Sequence, residues 1–183
     1  MRRPTRTSGG PSSLRWPVTV VLVVLALVLQ VTLFPHLAVH GVVPNLCLLV
    51  VVAAGLVRGP EQAAVLGFVA GVMLDLAPPA DHVAGRWALA LVVVGYLAGR
   101  VRADASTAPT VTTVVATVAA SSFVGTSTFA ISGLLLRDPV VSVADLLPVI
   151  LVAVVWDVLL TPLLMPGLMR LFAALEPVRA PAR

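Results

Sequence analysis

The feature that most constrains this chain is a series of apolar stretches that are too long and too free of charge for a water-soluble fold. The first of them, residues 16–34, contains no charged side chain. At a rise of about 1.5 Å per helical residue, it is long enough to cross a hydrocarbon core of about 30 Å. Of the whole chain, 59% is hydrophobic and 11% is charged, whereas a soluble domain carries about 25% charged residues. The sequence therefore predicts an integral membrane protein whose outer surface faces lipid.

Five further apolar stretches follow the first, separated by prolines, glycines and charged residues. The third is well delimited, because Pro60 and Glu61 favour the start of a helix and Pro78 with Pro79 stops it. The second and fourth are near the lower length limit for crossing a bilayer. We expect one all-α membrane domain, residues 16–172, built as a bundle of six transmembrane helices over residues 16–34, 44–57, 61–77, 85–99, 108–136 and 146–172, the last interrupted by Pro148, Pro162 and Pro166.

The distribution of arginine predicts how this bundle sits in the membrane. If six spans alternate, ten of the twelve arginines lie on the side of the N-terminus, and only Arg86 and Arg137 lie on the other side. Cytoplasmic loops carry such an excess of basic residues. Because the loss of any one span would destroy the asymmetry, the charges also support the two short spans. We expect a multi-pass membrane protein with both termini in the cytosol, residues 1–15 forming a disordered basic tail and residues 173–183 a second tail.

Small residues at helical spacing predict where two of the spans pack. Gly67 and Gly71 form a GxxxG pattern in the third span, and Gly95 with Gly99 forms a second one in the fourth. Membrane helices associate through such residues, because they let the backbones approach closely. We interpret the two patterns as internal packing between antiparallel neighbours. The alternative is a face that binds a partner.

Two charged residues flank the connection between these spans. Asp75 ends the third span and Arg86 begins the fourth, so each charge opposes the dipole of its own helix. Pairing would relieve both, and we predict a contact or a shared hydrogen-bond network between them. The alternative is that both side chains snorkel to the headgroups.

Asp157 lies about halfway along the sixth span, where a charged side chain costs roughly 2.5 to 3.5 kcal/mol. It needs a partner or a proton. We expect hydroxyl partners, either Thr161 one turn on or the stripe of the fifth span that contains Thr113, Thr117 and Ser121. Alternatively, Asp157 faces a partner protein or carries a proton in transport, although proton relays use several ionisable groups.

Few residues in the sequence suggest catalysis or metal binding. His36 and His40 are four residues apart and could share a metal, but neither cysteine nor carboxylate is near them in sequence. Cys47 is the single cysteine, which excludes a disulfide framework. Because nucleotide-binding, zinc-protease and hydrolase motifs are all missing, we predict no catalysis, no cofactor and no metal. In a membrane protein the basic charge reflects orientation, so we predict no nucleic-acid partner either.

Three segments resemble the MreD family of rod shape-determining membrane proteins. They are VPNLCLL at residues 43–49, LGFVAGVMLDLAPP at 66–79 and DHVAGRWALALVVVGYLAG at 81–99. Asn45, Gly67, Phe68, Gly71 and Asp75 match the family pattern, and a weaker echo lies at residues 157–162.

The resemblance implies a non-enzymatic scaffold in the bacterial plasma membrane that binds the single-span protein MreC. It also implies a link between the actin-like filament MreB and the peptidoglycan synthases, namely RodA and its transpeptidase. The implied fold is similar to the six-helix substrate-binding component of energy-coupling-factor transporters. The alternative function is a small-solute-binding transport subunit, but such a pocket is lined by aromatic residues and only 5% of the chain is aromatic.

Overall fold

The computed structural model describes residues 12–39, 41–78, 83–105, 108–136 and 146–176. All regular elements in these ranges are helical, and six of them are α-helices, so the expected all-helical fold and the number of helices are confirmed. A short 3-10 turn, Phe34–Leu37, follows the first helix. The helices are α1 (Ser12–Thr32), α2 (Leu46–Arg58), α3 (Pro60–Leu76), α4 (Arg86–Ala103), α5 (Val111–Leu135) and α6 (Leu146–Leu175).

The helix bounds differ from the expected ones where polar residues extend a helix beyond its apolar part. The first helix already begins at Ser12, inside the segment expected as a tail. The fourth continues to Ala103, because Arg100 and Arg102 in its last turn suit the negative end of the helix dipole. The expected interruption of the sixth helix is wrong, since α6 is one helix across Pro162 and Pro166.

Three helices, α1, α5 and α6, are long and apolar enough to cross a membrane. The second is apolar but has only 13 residues, which corresponds to about 20 Å. That length is shorter than a hydrocarbon core of about 30 Å. Full crossing by α2, α3 and α4 stays a prediction.

The short helix α2 is the centre of the bundle. Eleven of its 13 residues are buried, and it packs against all five other helices. A helix that is apolar all round belongs inside a protein or a bilayer. The sequence LCLLVVVAAGL from residue 46 to 56 therefore forms the middle of the core, and buried side chains of the other five helices pack around it.

Side-chain contacts fix the directions of the helices. Gln30 and Thr19 of α1 reach the start and the end of α2 respectively, so these two helices are antiparallel. Asp157 meets the start of α2, and Glu176, just beyond α6, meets its end, so α2 and α6 run in the same direction. Residues 15 and 176 consequently lie at the same end of the bundle, where their side chains form an ion pair at 3.8 Å.

We call this end the arginine end, because it carries Arg15, Arg58, Arg100, Arg102 and Arg170. Arg100 belongs to it because Gly99 packs on Pro60, next to Arg58. The opposite end holds Arg86, which is buried. Among the described residues, all exposed arginines therefore lie at one end of the bundle.

Candidate functional site

The first buried polar centre joins the end of α3 to the start of α4. Asp75 Oδ2 accepts hydrogen bonds from the backbone N–H groups of Gly85 (2.9 Å) and Ala88 (3.0 Å), and Oδ1 accepts from that of Trp87 (3.1 Å). The first N–H groups of a helix have no partner within it and attract negative charge. The negative charge of Asp75 opposes the dipole of its own helix, α3. It stabilises the start of α4, because the positive end of that helix dipole lies there.

Arg86, whose backbone lies inside this cap, is turned towards α5. Its Nε and Nη2 atoms donate to the carbonyl oxygen of Phe129 at 3.2 and 2.8 Å, and its guanidinium lies over the Phe129 ring at 3.8 Å. Trp87 stacks on the same ring at 4.4 Å. Asp75 and Arg86 are both buried, so the snorkelling alternative does not describe them. A direct pair between their two side chains stays a prediction.

The second polar centre lies at the start of α2. Asp157 is 1% exposed, and its Oδ1 accepts from the backbone N–H of Asn45 at 2.9 Å. Asn45 Oδ1 in turn accepts from the N–H of Leu48 (2.9 Å), and Gln30 Oε1 accepts from that of Cys47 (3.3 Å). Gln30 of α1, Asp157 of α6 and Asn45, the residue before α2, thus accept hydrogen bonds from backbone N–H groups at the start of α2. These N–H groups are buried and cannot bond to water.

The prediction that hydroxyl groups bond to the Asp157 carboxylate is therefore partly wrong. Thr161 donates to the backbone carbonyl of Asp157 at 2.8 Å rather than to its carboxylate, and Thr117 bonds within its own helix. Ser122 of α5 faces the carboxylate, although the geometry falls short of a hydrogen bond. The missed partner is the backbone N–H of Asn45. An asparagine before an apolar run marks the start of a helix, but it does not indicate which acid meets that start.

The four glycines of the two GxxxG patterns lie in the contact between α3 and α4. A Cβ atom added to Gly67 would overlap the carbonyl of Leu91, and one added to Gly71 would overlap the backbone of Ala88. Gly95 and Gly99 approach the backbones of Ala63 and Pro60 in the same way. Phe68, in contrast, is 55% exposed and points away from this contact.

A third cluster joins α1, α2 and α6 at the arginine end. Arg58 Nε lies 3.1 Å from Glu176 Oε1, and Nη1 donates to the Thr19 hydroxyl at 3.1 Å. The guanidinium also lies 4.7 Å from the centre of the Phe172 ring. Two arginines, Arg15 and Arg58, share one carboxylate here.

The described residues contain no group of three or more histidine, cysteine or acidic side chains that could hold a metal. His36 is exposed, and its Nδ1 lies 3.3 Å from the carbonyl oxygen of Leu33. His40, the second of the two histidines that could share a metal, lies outside the described residues. Cys47 is buried and free.

These features define a small helical membrane protein in which buried carboxylate and amide side chains accept hydrogen bonds from the backbone at the starts of helices. A family model described as the rod shape-determining protein MreD matches residues 11–172. The chain belongs to the MreD family, and the resemblance seen in its sequence is confirmed. None of the curated proteins and none of the solved structures matches it significantly.

Proposed function

We propose that the chain is a non-enzymatic membrane scaffold of the bacterial cell-shape machinery, in elongation or in sporulation. It binds an MreC-like single-span protein and connects the MreB filament with RodA and its transpeptidase. The observation that carries the proposal is the match to the MreD family over residues 11–172. The expected similarity of fold to the substrate-binding component of energy-coupling-factor transporters stays a prediction.

The polar interior supports a scaffold rather than a transporter. Asp157, which suggested proton or solute transport, accepts a hydrogen bond at the start of α2, and Asp75 accepts three at the start of α4. These carboxylates hold neighbouring helices in place. A rigid bundle of this kind presents constant outer faces to partner proteins.

The positions of the arginines support the proposed orientation. Arg100, Arg102 and Arg170 are exposed at the arginine end, which is also the end where residues 15 and 176 meet. Because basic residues are retained on the cytoplasmic side, we place this end, and with it both termini, in the cytosol. Buried Arg86 lies at the outer end.

Co-purification tests this proposal. The full-length chain, tagged at its C-terminus, is co-expressed with the full-length MreC-like protein of the same genome and purified in a mild detergent. We expect a stable complex, and no complex with an unrelated single-span protein of similar length. Failure to recover the MreC-like protein, together with saturable binding of a vitamin-sized solute, would contradict the scaffold and favour the transport alternative.

A further inference from the structure

Two arginines from neighbouring helices are held side by side at the arginine end. Arg58 Nη1 donates to the Thr19 hydroxyl at 3.1 Å, and the same hydroxyl donates to the backbone carbonyl of Arg15 at 2.8 Å. Both arginine side chains also face Glu176, with Arg58 Nε 3.1 Å from Oε1 and Arg15 Nη1 3.8 Å from Oε2. Contacts with Thr19 and Glu176 therefore bring the two guanidinium groups to one place.

This cluster carries more positive than negative charge. Within the described part of the chain, Glu176 is the one acid that forms an ion pair with either guanidinium, while Asp104 pairs with Arg100. The Arg58 side chain is 6% exposed, so water and salt screen its charge poorly. Buried charges are stable when they are paired. One carboxylate leaves the two arginines with an excess positive charge, which a second anion would balance.

The hydrogen-bond donors of both arginines are also incompletely used. Arg58 Nη2 and Arg15 Nε are buried, and neither makes a hydrogen bond within the described ranges. Arg58 Nε lies close to Glu176, but the geometry falls short of a hydrogen bond, so these two groups interact through charge. The N–H groups of a guanidinium form a fork that holds an oxyanion through two parallel hydrogen bonds. Arg58 can therefore bind an anion that has several oxygen atoms.

The position of the cluster indicates which anion it meets. The side chains of Arg15 and Glu176 are partly exposed, so an anion can reach the cluster from outside the bundle. Trp16 follows Arg15 and is 49% exposed, and tryptophan is enriched at the level of the lipid headgroups. Two of the helices that meet here, α1 and α6, are long enough to cross a membrane. The chemistry and the depth of the cluster both match the phosphate group of a lipid.

We infer that Arg15 and Arg58 together bind the phosphate group of an anionic lipid in the leaflet at the arginine end. One phosphate oxygen accepts from Arg58 Nη2 and another from the Arg15 guanidinium, while Glu176 competes for the same two arginines. Basic pockets between membrane helices on the cytoplasmic side bind anionic headgroups in this way. The site joins α1, α2 and α6, so it makes the bundle sensitive to the lipids around it. The inference goes beyond the proposed function, because it involves no partner protein.

Titrations of the purified full-length chain in detergent test the site. Native mass spectrometry measures the affinity for phosphatidylglycerol, for phosphatidylcholine and for inorganic phosphate. We expect the unmodified chain to prefer phosphatidylglycerol to phosphatidylcholine by about tenfold, because choline neutralises the phosphate beside it. Inorganic phosphate should bind more weakly than phosphatidylglycerol, again by about tenfold or more, since it buries no apolar surface against the membrane helices.

Three variants separate binding at this site from the general effect of charge. Arg15→Gln should lower the affinity for phosphatidylglycerol about tenfold, because it removes a charged hydrogen-bond donor. Arg102→Gln removes the same charge from an exposed position at the same end and should change the affinity by less than about twofold, because exposed charges are screened. Glu176→Gln should raise the affinity about threefold, because it removes the competing carboxylate.

The Glu176→Gln variant keeps the test independent of folding, because a purely structural cluster would lose stability without binding lipid more tightly. Three results would overturn the inference: equal affinities of the unmodified chain for the two lipids, equal losses in Arg15→Gln and Arg102→Gln, or unchanged or weaker binding by Glu176→Gln. Inorganic phosphate that binds as tightly as phosphatidylglycerol would place a free anion at the site instead of a lipid, and would also overturn it.

Discussion

Replacing Asp75 with asparagine should weaken the bundle much more than its small chemical change implies. Both carboxylate oxygens of Asp75 accept hydrogen bonds, two at Oδ2 and one at Oδ1. Asparagine offers one acceptor oxygen, so its NH2 group must face at least one backbone N–H of the α4 start. A buried N–H without an acceptor costs about 1 to 3 kcal/mol. The lost negative charge at a helix start adds about 0.3 to 1 kcal/mol.

The two terms together lower the free energy of unfolding by about 1 to 4 kcal/mol. For a chain of this size, 1 kcal/mol shifts the midpoint of thermal unfolding by about 2 to 4 °C, so Asp75→Asn should lower it by roughly 3 to 16 °C. Unfolding in detergent can be followed by tryptophan fluorescence, because Trp87 lies within this cap.

Asp157→Asn and Asp104→Asn are the matched controls. Asp157 uses only Oδ1, so asparagine can keep the hydrogen bond and lose only the charge. The Asp104 side chain is 66% exposed beside Arg100, and an exposed pair contributes at most about 1 kcal/mol. We expect the loss of stability to be largest for Asp75→Asn. Equal midpoints for Asp75→Asn and Asp104→Asn would refute the capping argument.

Three other predictions address the glycine contact, the arginine end and the topology. Gly71→Ala should destabilise the fold by about 1 to 3 kcal/mol through overpacking, whereas Gly167→Ala should not, because an added Cβ there meets nothing within 4 Å. Thermal unfolding of both variants measures the difference. Equal losses of stability would contradict the assigned glycine contacts. Glu176→Gln removes the charge beside Arg58 at 3.1 Å and should lower stability by up to about 1 kcal/mol, an effect that high salt should reduce. A single cysteine added in either terminal tail of a Cys47→Ala chain should react with a membrane-impermeant maleimide only after the membrane is opened; labelling of intact cells would reverse the proposed orientation.

The number of helices followed from the sequence because hydropathy and turn residues act locally. The role of α2 did not follow, since its 13 residues look marginal as a span and its central position depends on five neighbours. Hydropathy measures how apolar a segment is, and it does not report which apolar segment the others surround.

The partners in the buried helix caps also could not be predicted from the sequence. Asp157 meets the backbone of Asn45 across 112 positions of the chain, and every residue other than proline has a backbone N–H, so no side-chain pattern marks this partner. The glycines show the same limit. Gly71 and Gly167 both lie in apolar helices, yet only Gly71 meets another backbone.

The central claim is that the buried acids of this membrane bundle hold helices in place rather than perform chemistry. Cells that lack their native copy of the gene, supplied with Asp157→Asn at normal protein levels, test this claim most directly through their shape. We expect Asp157→Asn to restore normal shape, because asparagine can keep the hydrogen bond at the start of α2. Loss of normal shape with Asp157→Asn at an unchanged protein level would contradict the account and place the essential chemistry at the carboxylate.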